Sequence, residues 1–297
     1  MYGRVKHLAA ALAGRCDQFV SIGGVPVYSG YFPVGSAHLP IPITENHPVV
    51  RGDYDDPALR FSARLAEAED AAFAHHPNAT VFRFPMIYGP NNARPAEWSV
   101  VRRIRDRRLH MILPDGGLQI HSRCAARNAA AFVLAAVDHP DAAAGQVYNC
   151  GDPEFWSYRQ WVETIVDLLG ARLRIVSIPG DVALEAATTL LPLANTTASH
   201  VIVSTEKAQR QLGYQPVVEP VKALEELLKW YESAAAFDAD ASPSLTDRFD
   251  YDTEDALIAE YATAVEHVGH AVEQHPAPPV HIMPHPKEPG EVDHRGR

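Results

Sequence analysis

The chain has 297 residues, 46% of them apolar, with 26 Lys plus Arg against 37 Asp plus Glu. That is material for a sizeable core and about two domains. A formal charge of −11 argues against a sequence-independent grip on nucleic acid, because phosphate binding needs clustered cations, so no nucleic-acid partner is expected.

No run approaches the roughly 20 apolar residues of a membrane-spanning helix, and residues 1–16 lack the apolar core and cleavage site of a secretory signal. A cytoplasmic protein without a membrane partner is expected. Cys16, Cys124 and Cys150 are odd in number, far apart and without a CxxC pair, which predicts free, buried thiols rather than a disulfide framework or a zinc site.

Val5 to Ala13 reads as a helix ended by Gly14. Gln18 to Tyr28 has the β-branched density of a buried strand, which Pro26 is expected to end. Asp56-Pro57 supplies an N-cap and a first-turn proline for a long helix to His75, with Leu65, Ala68, Ala72 and Phe73 facing inward. Thr80 to Phe84 is the next strand. Arg102, Arg103, Arg105, Arg107 and Arg108 fall on a predicted helix and are expected to form a solvated basic face. Ser157 and Gln160 make a capping box for a helix carrying Trp161, Ile165, Leu168 and Leu169, closed by Gly170; Leu173 to Ile178 follows as a strand. Short helices are predicted at Thr205 to Leu212 and Val221 to Tyr231. Strands alternating with helices imply a parallel sheet covered on both faces, whose ligands lie beyond the carboxyl ends of the strands.

Charge divides the chain. Residues up to Glu232 hold 24 acids and 22 bases, whereas Ser233 to Arg297 hold 13 acids and 4 bases. The tail predicts one amphipathic helix, Thr253 to about His267, then an extended or disordered Pro- and His-rich stretch. Among its histidines only His267 and His270 have a helical i,i+3 spacing, no cysteine joins them, and Pro-rich chain does not preorganise ligands, so no metal site is expected.

Six segments in one order carry a resemblance: the strand ending Val27-Tyr28-Ser29-Gly30, the helix FSARLAEAED, the strand-turn VFRFPMIYGP, GQVYNCGD, SYRQWVETIVDLLG and STEKAQRQLGYQP. Together they resemble the extended short-chain dehydrogenases/reductases, the NAD(P)-dependent epimerase/dehydratase family. Arg83 to Pro90 and Lys207 to Pro216 are the most specific matches, and the resemblance covers about Val5 to Glu232. It implies the C-terminal part of a doubly wound parallel, Rossmann-like sheet with a small substrate lobe. On that reading residues 1–90 are a partial cofactor domain without its first strands, residues 91–232 a substrate lobe with returning Rossmann elements, and residues 233–297 an acidic tail. The implied chemistry is hydride transfer between NAD or NADP and a nucleotide-activated sugar, with a Tyr-x-x-x-Lys pair as base and a Ser or Thr orienting the substrate hydroxyl.

At those catalytic positions the chain has Gly24 for the Ser/Thr, Phe61 for the tyrosine and Leu65 for the lysine, so no catalytic residue is assigned. No Gly-x-Gly occurs anywhere, which removes the turn that lets a backbone approach a pyrophosphate. Pro85 and Met86 stand where the resemblance implies cofactor contacts, and Met86 replaces an asparagine common there. Tyr28, Tyr88, His121 and Arg123 are the candidate substrate contacts, Arg123 facing either a phosphate or a structural salt bridge. Asn128 is expected to be structural. Two readings stand: a nucleotide-sugar epimerase/dehydratase-type enzyme, or a non-catalytic ligand-binding or partner-assembling relative. The resemblance makes the strand at Phe19 to Val25 the fifth of such a sheet, whose first and fourth strands are central, so without them one of its flanks is expected to be unpaired, which predicts self-association or a partner covering that edge.

Overall fold

The computed structural model describes residues 2–32, 39–180, 200–233, 247–275, 289–290 and 292. The chain divides into two compact units, Met1–Asp250 and Tyr251–Arg297. Most of the stretch expected to be disordered after His275 lies outside the described residues.

The first unit opens with helix α1 (Tyr2–Leu12), and Gly14 then takes the left-handed conformation (φ 68°) that lets the chain turn away. Strand β1 (Val20–Gly24) stops before Pro26, as expected, and Val25–Val27 fold into a single 3-10 turn with Pro26 as its second residue. Helix α2 (Pro57–His75) begins as expected: one Asp56 carboxylate oxygen accepts the amides of Ala58 and Leu59, both at 2.9 Å. Strands β2 (Thr80–Phe84) and β3 (Met86–Tyr88) follow, then helix α3 (Trp98–Arg105), β4 (His110–Pro114), β5 (Ile120–His121), β6 (Arg123–Ala125), helices α4 (Ala126–Asp138) and α5 (Pro140–Ala143), β7 (Val147–Asn149) and β8 (Trp156–Ser157). Helix α6 (Tyr158–Leu168) carries the predicted capping box, and Gly170 (φ 58°) ends it. Strand β9 (Arg174–Ile178) and helices α7 (Glu206–Leu212) and α8 (Pro220–Glu232) complete the unit. The second unit contains helix α9 (Tyr251–Gln274), longer than predicted because no proline interrupts the chain until Pro276.

The strands are mostly parallel, as expected. Sheet order is β1-β2-β7, with Val20 opposite Thr80 and Val81 opposite Val147; β3 pairs with β6 and β4 with β9, also in parallel. Only β5 with β8 runs antiparallel among the described strands. Every residue of β2 is buried, so its run of apolar residues with one arginine is the signature of a strand covered on both faces. Phe82, Phe84, Phe132, Tyr148 and Tyr214 form the core on one face, with Phe132 stacked on Tyr214. Burial of each such ring contributes about 2–3 kcal/mol.

The arginine run corrects one expectation. Helix α3 ends at Arg105, and Arg103 is fully buried rather than solvated, paired with Asp247 at 2.6 Å. Arg105 lies over the Trp98 ring and donates to the Tyr231 carbonyl. Counting charges on a helix cannot reveal a counter-charge 144 residues away in sequence.

Candidate functional site

Three polar clusters hold the candidate residues: one on β2, one around Asp152 after β7, and one on β5 and β6. The first is built on β2. Arg83 makes a bidentate pair with Glu69 of α2, Nε to Oε1 at 2.9 Å and a terminal nitrogen to Oε2 at 2.6 Å, and both side chains are buried. The guanidinium also lies over the Tyr28 ring, 4.8 Å from its centre. Tyr28 is completely buried and donates its hydroxyl to Asn149 Oδ1 at 2.6 Å. Burial pushes the Tyr28 phenol up to about 12, against the opposing pull of Arg83. Asn149 in turn donates to the Ile43 carbonyl, and its backbone amide donates to Glu45.

The second cluster centres on Asp152. Its carboxylate accepts the Tyr88 hydroxyl at 2.8 Å, the Ala125 amide at 3.0 Å and the Asn128 side-chain amide at 2.8 Å. Burial raises the Asp152 carboxyl, opposed by those hydrogen bonds, and burial followed by the Asp152 charge raises the Tyr88 phenol far above its usual range. Asn128 also accepts the amides of Val217 and Val218 and donates to the Val218 carbonyl, the structural role expected of it. The hydroxyls of Tyr28 and Tyr88 are thus both engaged inside the framework.

The third cluster holds His121 and Arg123, on β5 and β6. His121 Nδ1 lies 2.9 Å from the Ser122 carbonyl, which can only accept, so Nδ1 carries the proton and Nε2 accepts from the Tyr31 hydroxyl at 3.4 Å. Burial, reinforced by the Arg123 charge, lowers His121 to about 4, so its ring is neutral at pH 7. Arg123 is 4% exposed, its guanidinium lying over the rings of Tyr158 and Trp161 at 5.0 and 4.6 Å. One terminal nitrogen donates to the His121 carbonyl at 3.3 Å; Nε and the other terminal nitrogen have no hydrogen-bond partner among the described residues. Glu97 is also buried and accepts from Trp161 Nε1 at 3.2 Å; desolvation raises its carboxyl, partly offset by the Arg123 charge.

The catalytic positions implied by the resemblance carry no ionisable group. Phe61 is 50% exposed on α2 and meets Phe32 edge to face. Leu65 packs against the cluster of Val25, Val27 and Tyr28, and its Cδ1 lies 4.0 Å from where a Cβ on Gly24 would stand. Pro85 is buried between β2 and β3, and the half-buried Met86 opens β3 opposite Arg123.

A nicotinamide dinucleotide finds no pyrophosphate cradle among the described residues. The Gly23-Gly24 pair at the end of β1 leads into a 3-10 turn, not a helix. A Cβ on Gly23 would meet Glu69 Oε1 at 3.3 Å and the Phe82 carbonyl at 3.4 Å, so the space beside that backbone is taken by a carboxylate and a carbonyl oxygen, which repel an anion. These residues do not fit the cofactor.

Sequence reasoning singled out Tyr28, Tyr88, His121, Arg123 and Asn128 but missed Tyr31, Glu97 and Asp152 as their partners. Asp152 had a local signal, a buried acid following Gly151 at a strand end. Tyr31 reaches a histidine 90 residues on, and no local pattern encodes that.

No protein-family model matches the chain, and no curated protein matches it by sequence. Solved structures do. A UDP-glucuronic acid 4-epimerase from Bacillus cereus, in complex with UDP-glucuronic acid and NAD, matches over 77% of this chain and 66% of its own, at 18% identity and TM-score 0.57. A dTDP-glucose 4,6-dehydratase from Bacillus anthracis in complex with NAD matches over 77% and 66%, at 18% identity and TM-score 0.55. A dTDP-4-dehydrorhamnose reductase ortholog from Clostridium acetobutylicum matches over 77% and 71%, at 16% identity and TM-score 0.58. The fold is thus the one seen in these extended short-chain dehydrogenases/reductases, and the chain spans just under two thirds of the length of the first two. No helix among the described residues is long and apolar enough to cross a membrane.

Proposed function

We propose that this chain is an epimerase/dehydratase-like protein that binds an anionic small molecule of the nucleotide-diphosphate or nucleotide-sugar kind and performs no hydride-transfer chemistry with its own residues. The observation that carries the reading is Arg123: a buried guanidinium with two nitrogens lacking hydrogen-bond partners among the described residues. Leaving such donors unmade costs on the order of 1–3 kcal/mol each, and two oxygens of one phosphate group accept both in fork geometry. Glu97 and Asp152 act on its charge through space but accept nothing from those two nitrogens. His121, neutral and held by Ser122 and Tyr31, stands beside it without adding a competing positive charge. Fold likeness to nucleotide-sugar enzymes supports the ligand class, and the absence of any acid or base at Gly24, Phe61 and Leu65 supports binding without turnover.

Calorimetric titration with UDP, dTDP and UDP-glucose tests it. Saturable binding that Arg123→Met weakens roughly 10- to 100-fold, in line with about 1.5–3 kcal/mol for hydrogen bonds to a charged group, is the expected result. Equal affinity in the two proteins, or micromolar binding of NAD with formation of reduced cofactor, overturns the proposal.

A further inference from the structure

The residues just before α9 do something the fold does not require. Asp247 and Phe249 dock on α3, after a passage of chain, residues 234–246, that separates them from α8. The Asp247 carboxylate meets Arg103 with Oδ2 at 2.6 Å from one terminal nitrogen and Oδ1 at 3.5 Å from the other, and both side chains are fully buried. The same guanidinium donates to the Ser99 carbonyl at 2.9 Å, which fixes its fork toward the incoming carboxylate. Asp247 Oδ1 also accepts the Phe249 amide at 2.9 Å, folding the three residues into a tight local turn. That turn delivers the Phe249 ring to two cations at once: it lies under Arg102 at 5.1 Å and Arg103 at 5.6 Å. Phe249 accepts a left-handed backbone (φ 52°) to do so, a conformation unfavourable for a bulky residue and maintained by what the ring and the carboxylate touch. Arg248, between them, points its charge to solvent and takes no part.

This is the anatomy of peptide recognition: a buried arginine reading one carboxylate, a cationic shelf reading one aromatic ring, and a spacer whose side chain is not read. We infer that the Arg102–Arg103 face of α3 is a binding site for an acidic-x-aromatic peptide, occupied in this chain by its own Asp247-Arg248-Phe249 as a detachable latch. The inference is independent of the ligand proposed at Arg123, since no residue is shared between the two sites. The latch holds by tethering: a segment joined through so short a stretch reaches an effective concentration on the order of millimolar, so a free peptide of the same chemistry competes only near or above that level.

The wild-type full chain gives the first test. Arg248 is exposed, yet trypsin needs several residues of extended chain around the bond it cuts, so cleavage between Arg248 and Phe249 reports the undocked state. The probe is the trypsin-resistant peptide acetyl-Leu-Thr-Asp-Gln-Phe-Asp-amide, with Gln in the unread position. At about 10 mM it should raise the Arg248–Phe249 cleavage rate roughly threefold or more, by mass spectrometry, while other Lys and Arg bonds are cut at unchanged rates. A peptide of the same composition in reversed order should do nothing. No acceleration, or equal acceleration by the reversed peptide, overturns the inference. In a second arm, the full-chain variant Asp247→Asn/Phe249→Ala should bind a fluorescent form of the same peptide at least about tenfold more tightly than wild type, where the resident segment competes. Equal binding by the two proteins counts against a latch.

Discussion

His121 ties stability to pH in a way that can be worked out in advance. Its ring is buried and neutral, with a value near 4 in the folded protein against the ordinary 6.5 expected once the chain unfolds. Between those two values the unfolded chain binds the proton and the folded one does not, so stability from this residue is full above pH 6.5 and is lost as pH falls toward 4. At pH 5 the unfolded ring is almost wholly protonated and the folded ring about one-tenth so, which amounts to a loss of about 2 kcal/mol between pH 7 and pH 5. Burial acts in the opposite sense on Glu97 and Asp152, whose raised carboxyls favour the fold at low pH and lose that contribution as pH rises. The clean measurement is therefore a difference of differences: urea unfolding of wild type and His121→Gln, each at pH 7 and pH 5. Glutamine keeps an acceptor for Tyr31 and does not titrate, so the variant should lose about 2 kcal/mol less than wild type over that range, a difference of roughly 1 M in the midpoint shift. If both proteins lose the same stability, His121 is not the buried neutral imidazole described above.

Three other outcomes follow. Glu69→Gln leaves Arg83 without its buried counter-charge and should cost about 3–5 kcal/mol by urea unfolding; a loss under 1 kcal/mol would show the pair to be solvated. Phe61→Tyr with Leu65→Lys should produce no reduced cofactor from NAD and a panel of nucleotide sugars, because a base without a positioned nicotinamide has no hydride acceptor; turnover above the unmutated protein would refute this. Among the described residues β1 has a ladder partner on one flank only and exposes Ile22, so sedimentation velocity should show association that grows with concentration, whereas a monomer at every concentration would mean that the edge is covered within the chain.

Much of the fold was legible because it rests on local chemistry. Asp56 before Pro57, and Ser157 three residues before Gln160, each fix a helix start through hydrogen bonds that close within a few residues. The β-branched and aromatic run Thr80 to Phe84, broken only by Arg83, marked a strand, and every residue of it is buried. Where sequence failed, the deciding partner was remote. Arg103 reads as a surface charge until Asp247 is seen beside it. At the candidate site, Arg123 was singled out through the family resemblance, but its aromatic walls, Tyr158 and Trp161, come from a helix that the sequence marks only as core.

Asp152 binds together pieces of chain that otherwise have little reason to move as one. Its carboxylate holds β3 through Tyr88, the start of α4 through Asn128 and the last residue of β6 through the Ala125 amide, and its own amide donates to the Arg123 carbonyl at 2.7 Å. Separating any one of these pieces exposes a buried acceptor to a setting without water, so partial opening is penalised nearly as heavily as complete opening. The amides of Ala125 and Asp152 should therefore exchange with deuterium at rates set by global unfolding, and the two strands and the helix that meet at this carboxylate should behave as one cooperative block.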